Sequence, residues 1–317
     1  MKNERLLATT HVDGHGMQMS KEVLDQAAAQ INGPIVPGMG IEHDITIPPI
    51  GKFVKAEVRQ LPDGEYGVYG EFLLFDPEMT QKIALPDGEA AFVDVWADKR
   101  PFADKHEEIP EEIVYSFDPT NFESQAEMLK FQKELEDDGP NLQEMLIRKS
   151  LIPDPEFIVK LSKHAVEFLI AHQLLKKVGQ QLASDTSNDI AKLYATIRNA
   201  AIKYGKYCIP KNRPITYVFV IPGTPTIEFV IRTANSATVS KAIHNEKISS
   251  AIDDANRLHE AITAQKIQFI LNEDEKWTFN YMLTSTGSVV GSEDAVARRE
   301  KAVQILFRQN QAEPESD

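Results

Sequence analysis

Apolar and polar positions alternate in twos from Phe53 to Gln60. Phe53 and Val54 lead into Ala56 and Val58, which are set against Lys55, Glu57 and Arg59. That period marks a half-buried strand. Leu61-Pro62-Asp63-Gly64-Glu65 reads as a turn, and Tyr66 to Phe75 returns as the second strand of a hairpin. Leu6 to Thr10 reads as a short strand before it. Between the two, Ser20 can cap a helix through Ala29 that stops at Gly33-Pro34, with Val23, Leu24, Ala27, Ala28 and Ile31 on its apolar face. Ala90 to Trp96 and Ile113 to Phe117 are further strands, the second closed by Asp118-Pro119. Asn121 to Asp138 is a polar helix ending at Gly139-Pro140, and Glu144 to Ile152 reads as one more strand.

After Pro155 the period changes. Ile158, Leu161, Ala165, Phe168, His172, Leu175, Gly179 and Leu182 recur at alternating spacings of three and four, a coiled-coil-like seam on one long helix. The seam suits packing against the next helix, which carries Ile190, Leu193, Ile197 and Ala201; self-association into a homo-oligomer is the alternative. Two ββα units follow. The first is Ile215–Ile221 and Thr226–Ile231 with a helix from about Ser240. The second is Lys266–Leu271 and Trp277–Leu283 with a helix capped by Ser292. Residues 309–317 are acidic and polar and read as a disordered tail. The expected fold class is α+β: a mainly antiparallel β domain with packed helices over 1–155, then a helical linker and a second α/β domain over 156–308.

Composition narrows the function classes. The chain has 317 residues, with 34 Lys+Arg against 48 Asp+Glu, a net charge of −14. That balance argues against a general nucleic-acid binder. No apolar run approaches a membrane span, and Met1-Lys2-Asn3-Glu4-Arg5 is not followed by a signal-peptide core. Cys208 is the single cysteine, which excludes an internal disulfide and a thiolate-rich zinc site and fits a reducing, cytoplasmic setting. No cofactor motif is present. Gly287-Ser288-Val289-Val290-Gly291-Ser292 lacks the lysine and spacing of a nucleotide loop and reads as a helix cap. His11-Val12-Asp13-Gly14-His15 has too few ligands for a metal site and reads as a turn, and Arg298, Arg299 and Lys301 read as a solvated face.

The segment richest in candidate chemistry is Gly40-Ile41-Glu42-His43-Asp44, followed by Pro48-Pro49-Ile50-Gly51-Lys52. A histidine between two acids beside a rigid backbone suits a general base. The helix opening at Ser20-Lys21-Glu22-Val23-Leu24, then Pro34, the His43-Asp44 pair, P-I-G-K and the hairpin resemble the prohead (capsid-maturation) serine proteases of tailed phages. These are related in fold to the herpesvirus assemblins, and the resemblance covers about residues 1 to 155. It implies His43 as the base and Ser116, in Val114-Tyr115-Ser116-Phe117, as the nucleophile of an endopeptidase; read from its apolar strand alone, Ser116 is equally a small core residue with its hydroxyl satisfied on the backbone. The implied partners are capsid or scaffold proteins in the host cytoplasm, and the resemblance implies that His43 and Ser116 come within hydrogen-bond reach on adjacent strands open to solvent. The chain departs from the family pattern at Arg148, where an acid is expected before Ser150, and at Phe117-Asp118, where a glycine follows the serine. Two readings stand: an active serine endopeptidase, or a catalytically inactive structural or interaction protein that keeps the protease fold.

Overall fold

A computed structural model of the chain describes residues 4–13, 16, 18–41, 44–95, 97–104, 108–136, 142–146, 155–177 and 184–312. In chain order the elements begin with β1 (Glu4–Thr9), α1 (Lys21–Ile31), β2 (Gly38–Met39), β3 (Gly51–Gln60), β4 (Tyr66–Leu74), β5 (Thr80–Ala84) and β6 (Ala90–Asp94). Next come β7 (Ile113–Phe117), α2 (Gln125–Glu136), β8 (Leu142–Leu146), β9 (Glu156–Lys160), α3 (Lys163–Lys177) and α4 (Ser184–Tyr207). The chain closes with β10 (Ile215–Ile221), β11 (Thr226–Thr233), α5 (Ser236–Ala242), α6 (Asn245–Ala261), β12 (Ala264–Leu271), β13 (Trp277–Thr284), β14 (Val289–Ser292) and α7 (Glu293–Ala312). The fold is α+β, with most strand pairs antiparallel.

Two compact units divide the chain, and not at residue 155. One takes Met1–Asp104, Ala261–Gln265 and Asn280–Asp317; the other takes Lys105–Glu260 and Lys266–Phe279. The expected stretches 1–155 and 156–308 therefore each contribute to both.

In the first unit, β1, β4, β3 and β2 form an antiparallel sheet with the β3–β4 hairpin in the middle. Helix α1 starts where Ser20 accepts the Val23 N–H, and lays Leu24, Ala28 and Ile31 against Ala56 and Val68. Val23, expected on the apolar face, is exposed. Asn32 fixes the helix end by donating to the Ala56 carbonyl and accepting its N–H, at 2.8 and 2.9 Å. The chain uses Leu-Pro-Asp-Gly-Glu twice, at 61–65 and 85–89, with the same backbone hydrogen bonds each time. The second copy joins β5 to β6, a hairpin that the alternation of residues 80–84 did not announce.

Strand β14, also unexpected, pairs antiparallel with β6 and β13. Helix α7 then delivers Arg299, 4% exposed, to Asp94, 2% exposed. Both terminal guanidinium nitrogens reach the carboxylate, Thr80 donates to it at 2.8 Å, and the Phe75 ring lies under the guanidinium. Arg299 is thus a core residue, not part of a solvated face, because a buried arginine is stable when its fork is filled by a carboxylate. Gln309 to Ala312, expected in the tail, continue α7; residues 313–317 lie outside the described residues.

In the second unit the strand order is β12-β11-β10-β9-β7-β8, with β7/β8, β9/β10 and β11/β12 parallel. The seam expected on one long helix is broken: Ile158 lies in β9, and a helix begins only at Lys163. Glu156–Lys160 is a central strand whose three middle residues, Phe157, Ile158 and Val159, are all buried. Periodicity cannot tell such a run from a buried helix. Ser162 then accepts the Ala165 N–H at the start of α3.

One face of this sheet carries an aromatic core. Phe117 and Phe157 face Phe122, Phe131 from α2 and Tyr204 from α4, with centroid separations from 4.7 Å (Phe157–Tyr204) to 6.2 Å (Phe131–Phe157). The rings come from four separate stretches of chain. Replacing the fully buried Phe131 by Ala should cost about 3–5 kcal/mol in urea unfolding. A fragment spanning 156–317 lacks β7, α2 and β6, and is expected to show no cooperative unfolding transition, whereas the full chain shows one; a cooperative fragment would contradict the unit boundaries.

Candidate functional site

Ser116 sits in β7, the middle strand of β8-β7-β9, opposite Met145 on one side and Ile158 on the other. Alternation puts Tyr115 and Phe117 on the aromatic face and Ser116 on the other. That second face is also closed: Ile158, Val218 and Val230 continue the row from Ser116 in register, and each is buried. Ser116 is 3% exposed. This is not the solvent-open strand position that the resemblance implied for a nucleophile.

Phe117-Asp118, where a glycine would follow a catalytic serine, has a structural task. Phe117 fills the core, and Asp118 accepts the N–H and hydroxyl of Thr120 at 2.9 and 2.7 Å, turning the chain out of β7. His43 and Arg148 lie outside the described residues. Ser116 belongs to the second unit.

The segment just after His43 is described, and it is held from the far end of the chain. Asp44 accepts the N–H and hydroxyl of Thr46 at 2.9 and 2.7 Å. Asn280, on β13, donates to the Thr46 carbonyl at 2.9 Å, and the Tyr281 hydroxyl donates to the Ile45 carbonyl at 3.3 Å. Arg298 donates to the Asn280 side-chain carbonyl. Burial lowers the Arg298 pKa, with the carboxylates of Asp294 and Asp44 opposing that shift.

Gly51 and Lys52, the end of P-I-G-K, have packing reasons of their own. A Cβ on Gly51 would collide with the Leu73 carbonyl of the paired strand. Lys52 is fully buried and donates to the carbonyls of Asp98 and Arg100, at 3.0 and 2.6 Å, with its ammonium 4.6 Å from the Phe102 ring centroid. Burial pushes its pKa from the ordinary 10.5 to about 8, against the pull of the Asp98 carboxylate. Gly287 gives this site room: its φ is +73°, and a Cβ there would strike both the Arg100 carbonyl and the Lys52 ammonium. Arg100 extends the node by donating to the carbonyls of Ile31 and Gly33 at the end of α1 and to that of Val54. Its fork also holds Asp98, whose carboxyl it keeps below the usual range.

Other candidates resolve into structure. Glu228, 3% exposed, accepts from Lys266 and Gln268 at 3.1 and 2.8 Å, a paired buried carboxylate. Burial pushes the Cys208 thiol up to about 11, which disfavours the reactive thiolate. Ser292 caps α7 by accepting the Ala295 N–H, as its sequence suggests. Of the two histidines near Asp13, His15 lies outside the described residues. The His11 ring meets Thr9 and Asp63 instead of a ligand cluster. From its neighbours Asp63 reads only as a turn residue; the pairing of β1 with β4 is what brings it beside His11. Among the described residues no group of three or more His, Cys, Asp or Glu is placed to hold a metal ion, and no helix is long and apolar enough to cross a membrane.

Comparison with protein-family models, with curated proteins and with solved structures finds no match to this chain.

The buried ammonium gives a pH signature. With a folded pKa near 8 and an unfolded value near 10.5, the unfolded chain holds more of the Lys52 proton between those values, so stability rises with pH across that window. Relative to a Lys52→Met variant, the wild type should gain about 3 kcal/mol from pH 8 to pH 10.5 in urea unfolding. A difference that stays flat across the window would contradict the burial of a charged Lys52.

Proposed function

We propose that this chain is an interaction protein without serine-protease activity, working on capsid or scaffold proteins of a tailed-phage head in the host cytoplasm. One observation carries the inactive half of this reading: Ser116 is 3% exposed, on an internal strand with both faces covered. A nucleophile must come within about 3–3.5 Å of the carbonyl it attacks, and an enclosed strand leaves no path for a peptide. The partner class rests on the resemblance of the first 155 residues, with the net charge of −14 favouring protein over nucleic acid.

The endopeptidase remains the second reading, favoured by His43 in its P-I-G-K context. A fluorophosphonate probe separates the two. The interaction reading predicts no adduct on Ser116 in the folded chain and no self-cleavage. An adduct on Ser116 that disappears in Ser116→Ala, a change that leaves the folded state nearly intact, would establish the endopeptidase instead.

A further inference from the structure

Thr9 and His11 stand two residues apart at the end of β1, and the β3–β4 turn brings Asp63 to the far side of the imidazole. His11 Nδ1 lies 3.0 Å from the Thr9 hydroxyl, and Nε2 lies 2.7 Å from Asp63 Oδ2. The hydrogen bond from His11 is the main cause that holds the Asp63 carboxyl below its ordinary range, helped by the Glu65 N–H. An ionised carboxylate only accepts, so Nε2 carries a proton, and in the neutral tautomer this leaves the Nδ1 lone pair facing the Thr9 hydroxyl. The order is hydroxyl, imidazole, carboxylate, the arrangement that activates a hydroxyl for attack on a carbonyl. A local turn accounts for the 3.2 Å bond from the His11 N–H to the Thr9 oxygen. It does not require a carboxylate from another strand pair on the opposite ring nitrogen.

We propose that Thr9, His11 and Asp63 form an acyl-accepting site for activated acyl donors, esters or thioesters of small carboxylic acids. The His11 and Asp63 side chains are 45% and 56% exposed and Thr9 is half-buried beside them, so the site lies at the surface. The neighbouring Glu65 carboxylate accepts from the Thr10 hydroxyl, so two acids border the site. A neutral acyl donor meets no repulsion from them, whereas a phosphoryl donor would. In the step itself, Thr9 Oγ bonds to the carbonyl carbon and its proton passes to His11 Nδ1. Asp63 stabilises the imidazolium. The bond to the leaving alcohol or thiol then breaks, and the leaving group takes the proton back from Nδ1. The product is a threonine ester.

The site is independent of the interaction reading above, and Ser116→Ala should leave it unchanged. The test is p-nitrophenyl acetate on the full chain, with acetylated peptides located by mass spectrometry. Thr9 should be acetylated about 100-fold faster than the other threonines, the range that a positioned base supplies. His11→Gln should remove that advantage and Asp63→Asn should reduce it. Acetylation of Thr9 no faster than elsewhere, or a fast rate unchanged by His11→Gln, overturns the proposal and leaves the three contacts as a surface turn.

Discussion

Strand β7 is enclosed on every side, and the second unit is built around that fact. It has strand neighbours along both edges, Tyr115 and Phe117 in the aromatic core on one face, and Ser116 in a buried aliphatic row on the other. The rings against it come from the loop after β7, from α2, from β9 and from α4, so the strand is fixed only when all of these have arrived. The cooperativity expected of the unit follows from that dependence, because no two of these stretches cover the core alone.

The first unit solves a different problem, closing a sheet whose neighbours include loops with bare carbonyls. It does so with the buried cations Lys52 and Arg299 and the half-buried Arg100. Lys52 and Arg100 take up five carbonyls between them, two of them at the end of α1. Arg299 brings the C-terminal helix back onto Asp94. Cations taken out of water are costly unless paired, and here carbonyls, the carboxylates of Asp98 and Asp94, and aromatic faces pair them. The P-I-G-K stretch, which carries much of the family resemblance, is explained at Gly51 and Lys52 by this packing. Its presence therefore weighs less for catalysis than the sequence alone suggested.

Much of the local structure was legible from residue order. The β3–β4 hairpin, the Ser20 cap, β7, the β10–β11 hairpin and the Ser292 cap stand where alternation and cap residues put them. The failures have physical causes. Phe157-Ile158-Val159 is apolar on both faces, and a strand buried on both faces loses the alternation that would identify it. Val289-Val290-Gly291-Ser292 was hidden by its glycine and by the cap at its end. Arg299 looked solvated because its partner Asp94 lies more than two hundred residues away. For the candidate site, Ser116 in an apolar run was legible as a strand residue. Its enclosure was one of two equal readings of that run, and the choice depends on β9 and the long-range register opposite Ile158. The meeting of His11 with Asp63 was likewise set by strand pairing rather than by spacing.

A thiol placed at position 116 reports the enclosure of that position directly. A Ser116→Cys chain treated with an excess of a disulfide reagent such as DTNB, without denaturant, should release no more than the slow colour of global unfolding. Cys208, 2% exposed, serves as the internal control, and both thiols should react together only as urea unfolds the chain. Prompt reaction of one thiol equivalent in the folded Ser116→Cys protein, absent from the wild type, would put position 116 at an open surface and contradict the account.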